Sequence, residues 1–474
     1  MFSLPSSTLG VLIGILYILV AAWVTVDVLL KKSDVRGALG WIGAAWFSPI
    51  LGGLLYFLLG INRVTRRALK MSRLDDAQSG RLGTAARPQA PAHICELLEI
   101  GGRVTKGPLA ADNEISVLDG GDIAYPQMLA AIAGARKSIA LTSYIFRDDA
   151  AGRVFAEALI AAKTRGVMVR VLLDSVGGGY IFPRSFHRLR AGGVRVARFL
   201  HTWLPWRMPF LNMRNHRKLL VVDGATAFMG GMNIGAENSM SLHPRDYITD
   251  IHFRIQGPVV RLVMDAFARD WSFTTDETLD EEFWWPELPP AGPVYARGLS
   301  SGPDADIYKL ETILGAALTL AKKRIRILTP YFLPDARLQF AIAQACLRGV
   351  EVDIVIPERC NYLVMDWAMR AHLRFFRHIA ANIYTTPLPF DHSKLCTLDD
   401  GWCLIGSSNW DARSFRLNFE FDLECYDPAL VNVLDDIIDA KIARGTRLEI
   451  RALIARPVWI RLRDAAARLM MPYL

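Results

Sequence analysis

The sequence predicts an α/β protein with a duplicated, two-lobed fold, preceded by an N-terminal transmembrane helical hairpin. Two observations lead to this prediction. The chain of 474 residues begins with two long apolar stretches. The rest contains two rounds of alternating helix and strand patterns, and each round carries the same histidine–lysine–aspartate spacing. Strands that alternate with helices are typical of a sheet covered on its faces.

The two apolar stretches, residues 9–26 and 37–61, contain no charged side chain. Stretches of this length can cross a hydrocarbon core of about 30 Å as helices. A cleaved signal peptide would begin with basic residues, whereas residues 1–8 contain neither Lys nor Arg. Buried core helices are the other alternative, and two uncharged runs so close together disfavour it. We therefore expect a transmembrane hairpin with a basic juxtamembrane segment in residues 1–70.

Charge indicates the orientation of this hairpin and the kind of partner. Basic residues are more numerous after the second stretch than in the loop between the stretches, which favours a cytoplasmic location for the remainder of the chain. The net charge of +8 suits either nucleic acid or an anionic lipid leaflet. The hairpin favours the leaflet. The six cysteines form no CxxC pair, as expected of thiols in a reducing compartment.

Beyond the hairpin, residues 71–106 are polar without clear periodicity, which predicts a tether. An acidic, proline-rich break near 276–293 separates a first lobe, residues 107–285, from a second lobe, residues 286–474. Apolar periodicity predicts helices at 127–138, 152–166, 313–324 and 337–349, and strands at 139–146, 167–174, 325–333 and 350–357.

The two lobes match each other in order. RGVMVRVLLD at 165–174 matches RGVEVDIVIP at 348–357, and DIHFRIQGPVV at 250–260 matches EFDLECYDPAL at 420–430. Such ordered self-similarity indicates a duplication. The histidine motifs lie between these blocks, so each lobe carries one copy.

The first copy, NHRKLLVVDG, contains His216, Lys218 and Asp223, and GGMN then supplies Asn233. The apolar LLVV predicts a buried strand through the motif, and residues two apart on a strand share a face. We therefore expect His216 and Lys218 to point the same way.

The second copy, DHSKLCTLDD, contains His392, Lys394 and Asp399, and GSSN then supplies Ser407 and Asn409. Two imidazoles, two ammonium groups and two amides suit a phosphodiester. The lysines and asparagines hold the non-bridging oxygens, while one histidine attacks phosphorus and the other protonates the leaving alkoxide. Neither lobe alone has both a nucleophile and an opposing acid.

Two alternatives to this interpretation need weighing. A lone histidine–lysine pair would be incidental, but a full motif repeated in register within a duplicated chain disfavours that explanation. Histidines can also bind metal, yet the sequence lacks HExxH and each neighbouring lysine would repel a cation. We therefore expect no metal and no cofactor.

These motifs resemble those of the phospholipase D superfamily, in which HxKxxxxD followed by GGxN or GSxN occurs in duplicate. More narrowly, RNHRKLLVVDG, GGMNIG, LTPYFLPD, GSSNWDARSFRLNFE and ARLMMPYL resemble bacterial cardiolipin synthases. The resemblance implies a two-lobed phospholipase D-like fold with one active site shared on a pseudo-twofold axis, and a covalent phosphohistidine formed without metal. It implies that His216 is the nucleophile and His392 the general acid and then base. Asp223 and Asp399 belong to the catalytic motif, although their positions after strands suggest that they brace the lobes.

Asp250 and Glu420 occupy the same place in the repeat. A carboxylate that accepts from the non-reacting ring nitrogen of a histidine fixes its tautomer and raises its basicity. We expect these two residues to orient the motif histidines, and surface ion pairs are the alternative.

The resulting hypothesis is a phosphatidyltransferase of the bacterial inner membrane, multi-pass, with its catalytic domain on the cytoplasmic side. It would make cardiolipin and glycerol from two molecules of phosphatidylglycerol, with an anionic membrane surface and not nucleic acid as its partner. The alternatives are a hydrolase releasing phosphatidic acid and a non-catalytic lipid-binding scaffold. The oligomeric state stays open.

Two further segments suggest contacts with lipid. The aromatic stretch 199–214, with Trp203, Trp206 and Phe210, is a candidate lip that admits acyl chains. Core packing is an equal alternative. Residues 456–471 alternate cationic and apolar side chains, as in a helix on the membrane surface or an ordinary closing helix.

Overall fold

The computed structural model of the chain describes residues 6–32, 35–60, 88–203, 213–303 and 306–471. These residues form two compact units, one containing the N-terminal helices and the other containing both lobes. The two lobes therefore belong to one compact body, as a site shared between them requires.

The N-terminal unit consists of helices α1 (Ser6–Lys31), α2 (Val35–Phe47) and α3 (Pro49–Leu55), followed by a π-helical turn at Tyr56–Gly60. Within α1, Gly10–Lys31 is long and apolar enough to cross a membrane. The second apolar run is interrupted at Ser48, because Pro49 lacks an N–H and disfavours helical geometry in the residue before it. The described residues thus contain one helix of spanning length, where two continuous ones were expected.

The segment at 92–105 is a helix, which corrects the predicted tether over 71–106. This helix, α4 (Ala92–Thr105), buries Ile94, Leu97 and Leu98 in the hydrophobic core of the second lobe. Their spacing of three and four residues is that of one helix face. The signal was present in the sequence but short, and residues 71–87 of the predicted tether lie outside the described residues.

The first lobe has the alternating order that the sequence predicts. Its elements are β1 (Ala110–Asp119), α5 (Gly121–Gly134), β2 (Ser138–Ser143), α6 (Ala150–Thr164), β3 (Met168–Asp174), α7 (Arg184–Ala191), β4 (Arg195–Phe199), β5 (Arg214–Asn215), β6 (Leu219–Val222), β7 (Thr226–Gly230), β8 (Ile248–Thr249), β9 (Ile251–Gln256) and α8 (Val260–Thr275).

The second lobe repeats this order and adds helices after its last long strand. Its elements are β10 (Val294–Ser301), α9 (Lys309–Leu320), β11 (Arg324–Leu328), α10 (Ala336–Leu347), β12 (Glu351–Pro357), α11 (Leu363–Leu373), β13 (Asn382–Thr386), β14 (Phe390–Asp391), β15 (Leu395–Leu398), β16 (Trp402–Gly406), α12 (Ala412–Arg416), β17 (Asn418–Tyr426), α13 (Pro428–Arg444), β18 (Thr446–Arg447), α14 (Ile450–Ile454) and α15 (Val458–Leu469). The predicted helices and strands of both rounds are confirmed, with boundary shifts of a few residues.

One mixed sheet runs through both lobes. Its strand order is β18-β13-β12-β11-β15-β16-β17-β10-β1-β9-β7-β6-β2-β3-β4, and β5 also pairs with β17. Strands β1 and β10 pair antiparallel at the centre, with Ala110 opposite Ala296. The order on one side of this pair mirrors the order on the other, so the pseudo-twofold axis passes between β1 and β10.

Each lobe also lends a two-residue strand to the other. Strand β5 pairs parallel with β17, and β14 pairs parallel with β8. The predicted strand through the histidine motif is therefore interrupted: residues 216–218 lie between β5, which pairs with the other lobe, and β6, which joins its own sheet. This crossing carries both motif histidines to the boundary between the lobes.

Candidate active site

The two motif histidines are each held by a carboxylate from the other lobe. His216 Nδ1 lies 2.9 Å from Glu420 Oε2, and His392 Nδ1 lies 2.7 Å from Asp250 Oδ2. Both carboxylates are fully buried. The sequence-predicted partners Asp250 and Glu420 thus contact the ring nitrogens, and they do so across the lobe boundary. An Nδ1–H donated to the carboxylate leaves Nε2 of each ring with its lone pair.

A backbone hydrogen bond to the opposite lobe fixes the position of each motif histidine. His216 N donates to Phe419 O at 2.9 Å, and His392 N donates to Thr249 O at 2.7 Å. Each of these acceptors immediately precedes the carboxylate that holds the same histidine. Strand pairing and ring orientation are therefore set by one segment of the opposite lobe.

The motif lysines lie beside the histidines in both lobes. Lys218 Nζ donates to His216 O at 2.6 Å, and Lys394 Nζ lies 2.9 Å from His392 Nδ1. Both lysines are buried. Each motif thus places one ammonium group next to its imidazole, and neither lysine is among the residues that line the cavity containing the histidines.

The polar residues after each motif separate into two groups. Asn233 and Asn409 line the same cavity as the two histidines. Ser407, predicted to position phosphate, instead donates to Glu420 Oε2 at 2.6 Å and does not line that cavity. At the equivalent place in the first lobe, a Cβ on Gly231 would lie 2.3 Å from Asp250 Oδ1. The Ser407 hydroxyl is therefore a hydrogen-bond donor to Glu420. The first lobe has no equivalent donor, because Asp250 occupies the space that a side chain at position 231 would need.

The motif aspartates lie away from the cavity. Asp223 accepts N–H bonds from Arg136, Lys137 and Ser138 at the start of β2. Asp399 does the same for the three residues that lead into β11, at 2.7–3.0 Å. Both have positive φ, 52° and 49°. Their inclusion in the catalytic set is not supported by this placement, because the strand carries them to the end opposite the histidine.

The cavity that holds the histidines has a volume of about 260 Å³. Its lining includes residues that the sequence interpretation did not single out. Among them are charged, amide and aromatic side chains from both lobes: Tyr144, Arg147, Arg214, Glu237, Tyr331, Arg413 and Asn418. Arg413 and Asn418 stand in the RSFRLNFE block, so a signal for them was present.

The tyrosines pack against the histidine rings with similar geometry in each lobe. Tyr144 meets His216 edge-on with ring centroids 4.9 Å apart, and Tyr331 meets His392 edge-on at 6.2 Å. The Lys218 ammonium also lies 5.2 Å from the Tyr144 ring centroid. These contacts limit ring rotation, so each imidazole keeps the orientation set by its carboxylate.

Burial dominates the electrostatics of the site. It lowers the pKa of His216 to about 4, against the opposing effect of Glu420. Burial and Lys394 likewise lower the pKa of His392. Burial lowers the pKa of Lys218 to about 7 and also lowers that of Lys394. For Glu420, burial raises the pKa, but His216, Lys218 and Ser407 outweigh it and the net shift is downward.

Both imidazoles are neutral near pH 7, and one ammonium group is close to losing its proton. A bound phosphate would favour the charged form of every cation around it. The arrangement can therefore attack with one neutral imidazole while the anion keeps the other imidazole protonated as an acid.

The predicted lip is only partly described. Residues 204–212, including Trp206 and Phe210, lie outside the described residues. Trp203 is exposed and Met213 is buried.

The two lobes exchange short strands, and each lobe places a carboxylate against the motif histidine of the other. Together with the paired histidine–lysine motifs, this arrangement is that of a phospholipase D-like enzyme. The family model described as "Cardiolipin synthase, PLD-like domain" matches residues 128–271 and 314–442. A second model, "Phospholipase D-nuclease N-terminal", matches residues 19–60. The chain belongs to the first of these families, in its duplicated form.

Relatives of known name match nearly the whole chain. It is 29% identical to the major cardiolipin synthase ClsA of Bacillus subtilis, covering 98% of this chain and 99% of that protein. It is 30% identical to a cardiolipin synthase of Geobacillus, covering 98% and 95%. Among solved structures, phosphatidylserine synthase of Haemophilus influenzae is similar over 80% of this chain and all of that one, with a TM-score of 0.62 and 17% identity. That structural likeness supports the fold alone.

Proposed function

We propose that this protein is a membrane phosphatidyltransferase that makes cardiolipin and glycerol from two molecules of phosphatidylglycerol. The observation that supports it best is the crossed pair of contacts, His216–Glu420 and His392–Asp250, in one cavity. Its relatives of matching length carry the name cardiolipin synthase.

The first half-reaction forms a phosphatidyl-enzyme. His216 Nε2 attacks phosphorus, an N–P bond forms and the P–O bond to the head-group glycerol breaks. His392 gives its Nε2 proton to the departing alkoxide, and glycerol leaves. Lys218, Lys394, Asn233 and Asn409 stabilise the charge on the non-bridging oxygens.

The second half-reaction reverses these roles. His392, now neutral, takes the proton from a hydroxyl of a second phosphatidylglycerol. That oxygen bonds to phosphorus while the N–P bond to His216 breaks, and cardiolipin is released. Asp250 and Glu420 hold the two rings in register throughout, so we propose them as positioning residues.

Product analysis tests this function against its main alternative. Purified protein added to phosphatidylglycerol vesicles is expected to yield cardiolipin and glycerol in equal amounts. Phosphatidic acid as the sole lipid product would replace the transferase proposal with hydrolysis.

Either histidine fits the attacking role by symmetry, so the order needs its own test. With labelled phosphatidylglycerol, His392→Ala is expected to retain a slowly formed phosphohistidine and His216→Ala to form none. The opposite pattern would exchange the two roles without changing the reaction.

We further propose that the chain is a multi-pass protein of the bacterial inner membrane with its lobes on the cytoplasmic side. Helix α1 has spanning length, and the helices after it continue the apolar stretch. A membrane-impermeant thiol reagent on intact spheroplasts should label Lys32→Cys, in the loop between α1 and α2. It should label Asp400→Cys, in the second lobe, only after permeabilisation. The reverse pattern would invert the orientation.

Helix α15 supports an anionic membrane surface as the partner of the lobes. Its outer face exposes Trp459, Leu462 and Leu469 at 66%, 65% and 75%. Its inner face buries Asp464, which pairs with Arg456 and Arg463 at 2.9 and 2.7 Å. An exposed apolar face flanked by arginines fits the boundary between head groups and acyl chains.

A further inference from the structure

The two sides of the active-site cavity are equivalent by duplication but differ in chemistry. Three pairs of equivalent positions differ in kind. Two residues before the motif histidine, the lobes have Arg214 and Phe390. Four residues after the motif asparagine, they have Glu237 and Arg413. Two residues before the carboxylate that contacts the other lobe's histidine, they have Ile248 and Asn418. At these positions the two sides of the cavity can therefore bind different chemical groups.

Three of the four polar members of these pairs, Arg214, Arg413 and Asn418, lie on one side of the cavity. Arg214 and Asn418 are partners in the pairing of β5 with β17, and both line the cavity together with Arg413. Arg413 lies close enough to Arg214 for that charge, after burial, to lower its pKa. The corresponding partners in the pairing of β14 with β8 are Phe390 and Ile248, which are apolar.

The Asn418 side chain has a defined orientation and an unused acceptor. Its Nδ2 donates to Glu420 Oε1 at 3.0 Å, which fixes the amide because a carboxylate only accepts. Its Oδ1 is buried and has no hydrogen-bond partner among the residues that the structure describes. Asn418 as a whole is 2% exposed and lines the cavity. Asn418 Oδ1 is therefore able to accept a hydrogen bond from a ligand in the cavity.

A ligand group that donates to Asn418 Oδ1 must carry an O–H or an N–H, as a hydroxyl or an amine does. A phosphodiester and an acyl ester have only acceptors, so neither can satisfy Asn418 Oδ1. Phosphatidylglycerol carries hydroxyls only on its head-group glycerol. When its terminal hydroxyl attacks, the secondary hydroxyl is free to donate.

The arginines suit a second phosphate. In the proposed mechanism Lys218 and Lys394 stabilise the reacting phosphate, and Arg147 forms an ion pair with Glu237 at 2.5 Å. Arg214 and Arg413 add two permanent charges on the side that carries Asn418. In the product, one glycerol bridge joins the two phosphates, so a second anionic group must lie near the first.

We propose that Arg214, Arg413 and Asn418 form the subsite for the head group of the acceptor lipid. Asn418 Oδ1 accepts from the secondary hydroxyl of its glycerol, and the two arginines hold its phosphate. This inference rests on the proposed transferase function, because it assumes that a second phosphatidylglycerol is the acceptor. The subsite would favour lipid alcohols over water at the phosphohistidine.

A competition between two acceptors tests the role of Asn418. Vesicles contain equal amounts of phosphatidylglycerol and phosphatidyl-1,3-propanediol, which keeps the terminal hydroxyl and lacks the secondary one. Mass spectrometry identifies the acceptor from the bridge of each product. The native protein is expected to favour the glycerol bridge roughly tenfold, the effect of one buried hydrogen bond. Asn418→Leu should bring this ratio close to one.

A second variant separates substrate binding from an effect through Glu420. Asn418→Asp keeps an acceptor oxygen but cannot donate to Glu420, so turnover should fall while the preference for the glycerol bridge remains. If Asn418→Leu lowers both products equally and leaves the ratio unchanged, Asn418 acts only through Glu420 and the subsite is refuted. Thermal unfolding of each variant shows whether a lower rate reflects loss of folded protein.

The arginines are tested by the partition between transfer and hydrolysis. Arg413→Gln and Arg214→Gln should each raise the share of phosphatidic acid at least roughly tenfold, because each loses a charge-assisted contact to the acceptor phosphate. Arg416→Gln, on the same short helix but paired with Glu311 and Asp335 outside the cavity, is the matched control. An unchanged partition in both cavity variants would overturn the subsite. Absence of cardiolipin with the native protein would instead overturn the proposed function.

Discussion

The contact between Glu420 and His216 gives the sharpest test of the site's geometry. Glu420→Gln keeps the shape of the side chain but removes the charge that holds Nδ1 at 2.9 Å. A hydrogen bond to a buried charge contributes about 1.5–3 kcal/mol. Since about 1.36 kcal/mol changes a rate tenfold, kcat should fall roughly 10- to 150-fold.

The same substitution should move the pH profile. Glu420 raises the pKa of both His216 and Lys218, against the larger effect of burial. Without it, His216 is protonated only at lower pH and Lys218 loses its proton at lower pH. Both limbs of the profile of kcat/KM should therefore shift toward acid pH. Initial rates of cardiolipin formation across a pH series, with folded protein quantified at each pH, measure the shift.

Ser407→Ala is the matched control for charge. It removes one donor to Glu420 and leaves the carboxylate in place. A single hydrogen bond of about 1 kcal/mol corresponds to a roughly fivefold slower rate. The pH limbs should stay near those of the native protein. A Glu420→Gln variant with native rate and native pH profile would refute the orienting role.

Four further predictions follow from other parts of the structure. Burial lowers the pKa of Lys218 to about 7, so kcat/KM should fall as the pH rises through that value. Lys218→Arg should shift this alkaline decline of kcat/KM to higher pH, because a guanidinium keeps its proton. A decline at unchanged pH in the variant would exclude Lys218 as its source. Asp223→Ala should cost about 3 kcal/mol of stability by orphaning the N–H groups at the start of β2, seen as a lower Tm, while kcat per folded molecule stays native; a specific loss of kcat would return Asp223 to the catalytic set. A chain starting at residue 88 should fold as a cooperative unit because α4 and both lobes are retained, and a failure to fold would make the N-terminal unit part of the domain. In that truncated chain, Trp459→Ser with Leu462→Ser should weaken flotation with anionic vesicles at least about tenfold, whereas unchanged flotation would make α15 a closing helix only.

Much of the fold was readable from the sequence because it rests on periodicity. The alternating helices and strands of each lobe and the duplication follow from apolar patterns that tertiary contacts reinforce. The interruption of the motif strand did not, because nothing in LLVV shows that residues 214–215 pair with the other lobe. Helix α4 was missed because its apolar face is short and follows a long polar segment.

The site was predictable where duplication doubled the signal. The histidines, lysines and crossed carboxylates occupy matching places in both lobes. Ser407 was misplaced since its lobe-one equivalent, Gly231, has no side chain to compare. Arg413 and Asn418 were not singled out because their equivalents, Glu237 and Ile248, are different in kind. A comparison of the halves reveals shared chemistry more readily than chemistry that only one half supplies.

The central claim is that both lobes build one catalytic centre. Its most direct test is cardiolipin formation by the two single-histidine variants, together with the number of labelled phosphatidyl groups trapped per native chain. One shared centre predicts that His216→Ala and His392→Ala are each inactive and that the native chain traps at most one group. About half of the native activity in either variant, or two trapped groups per chain, would show two independent centres and contradict the account.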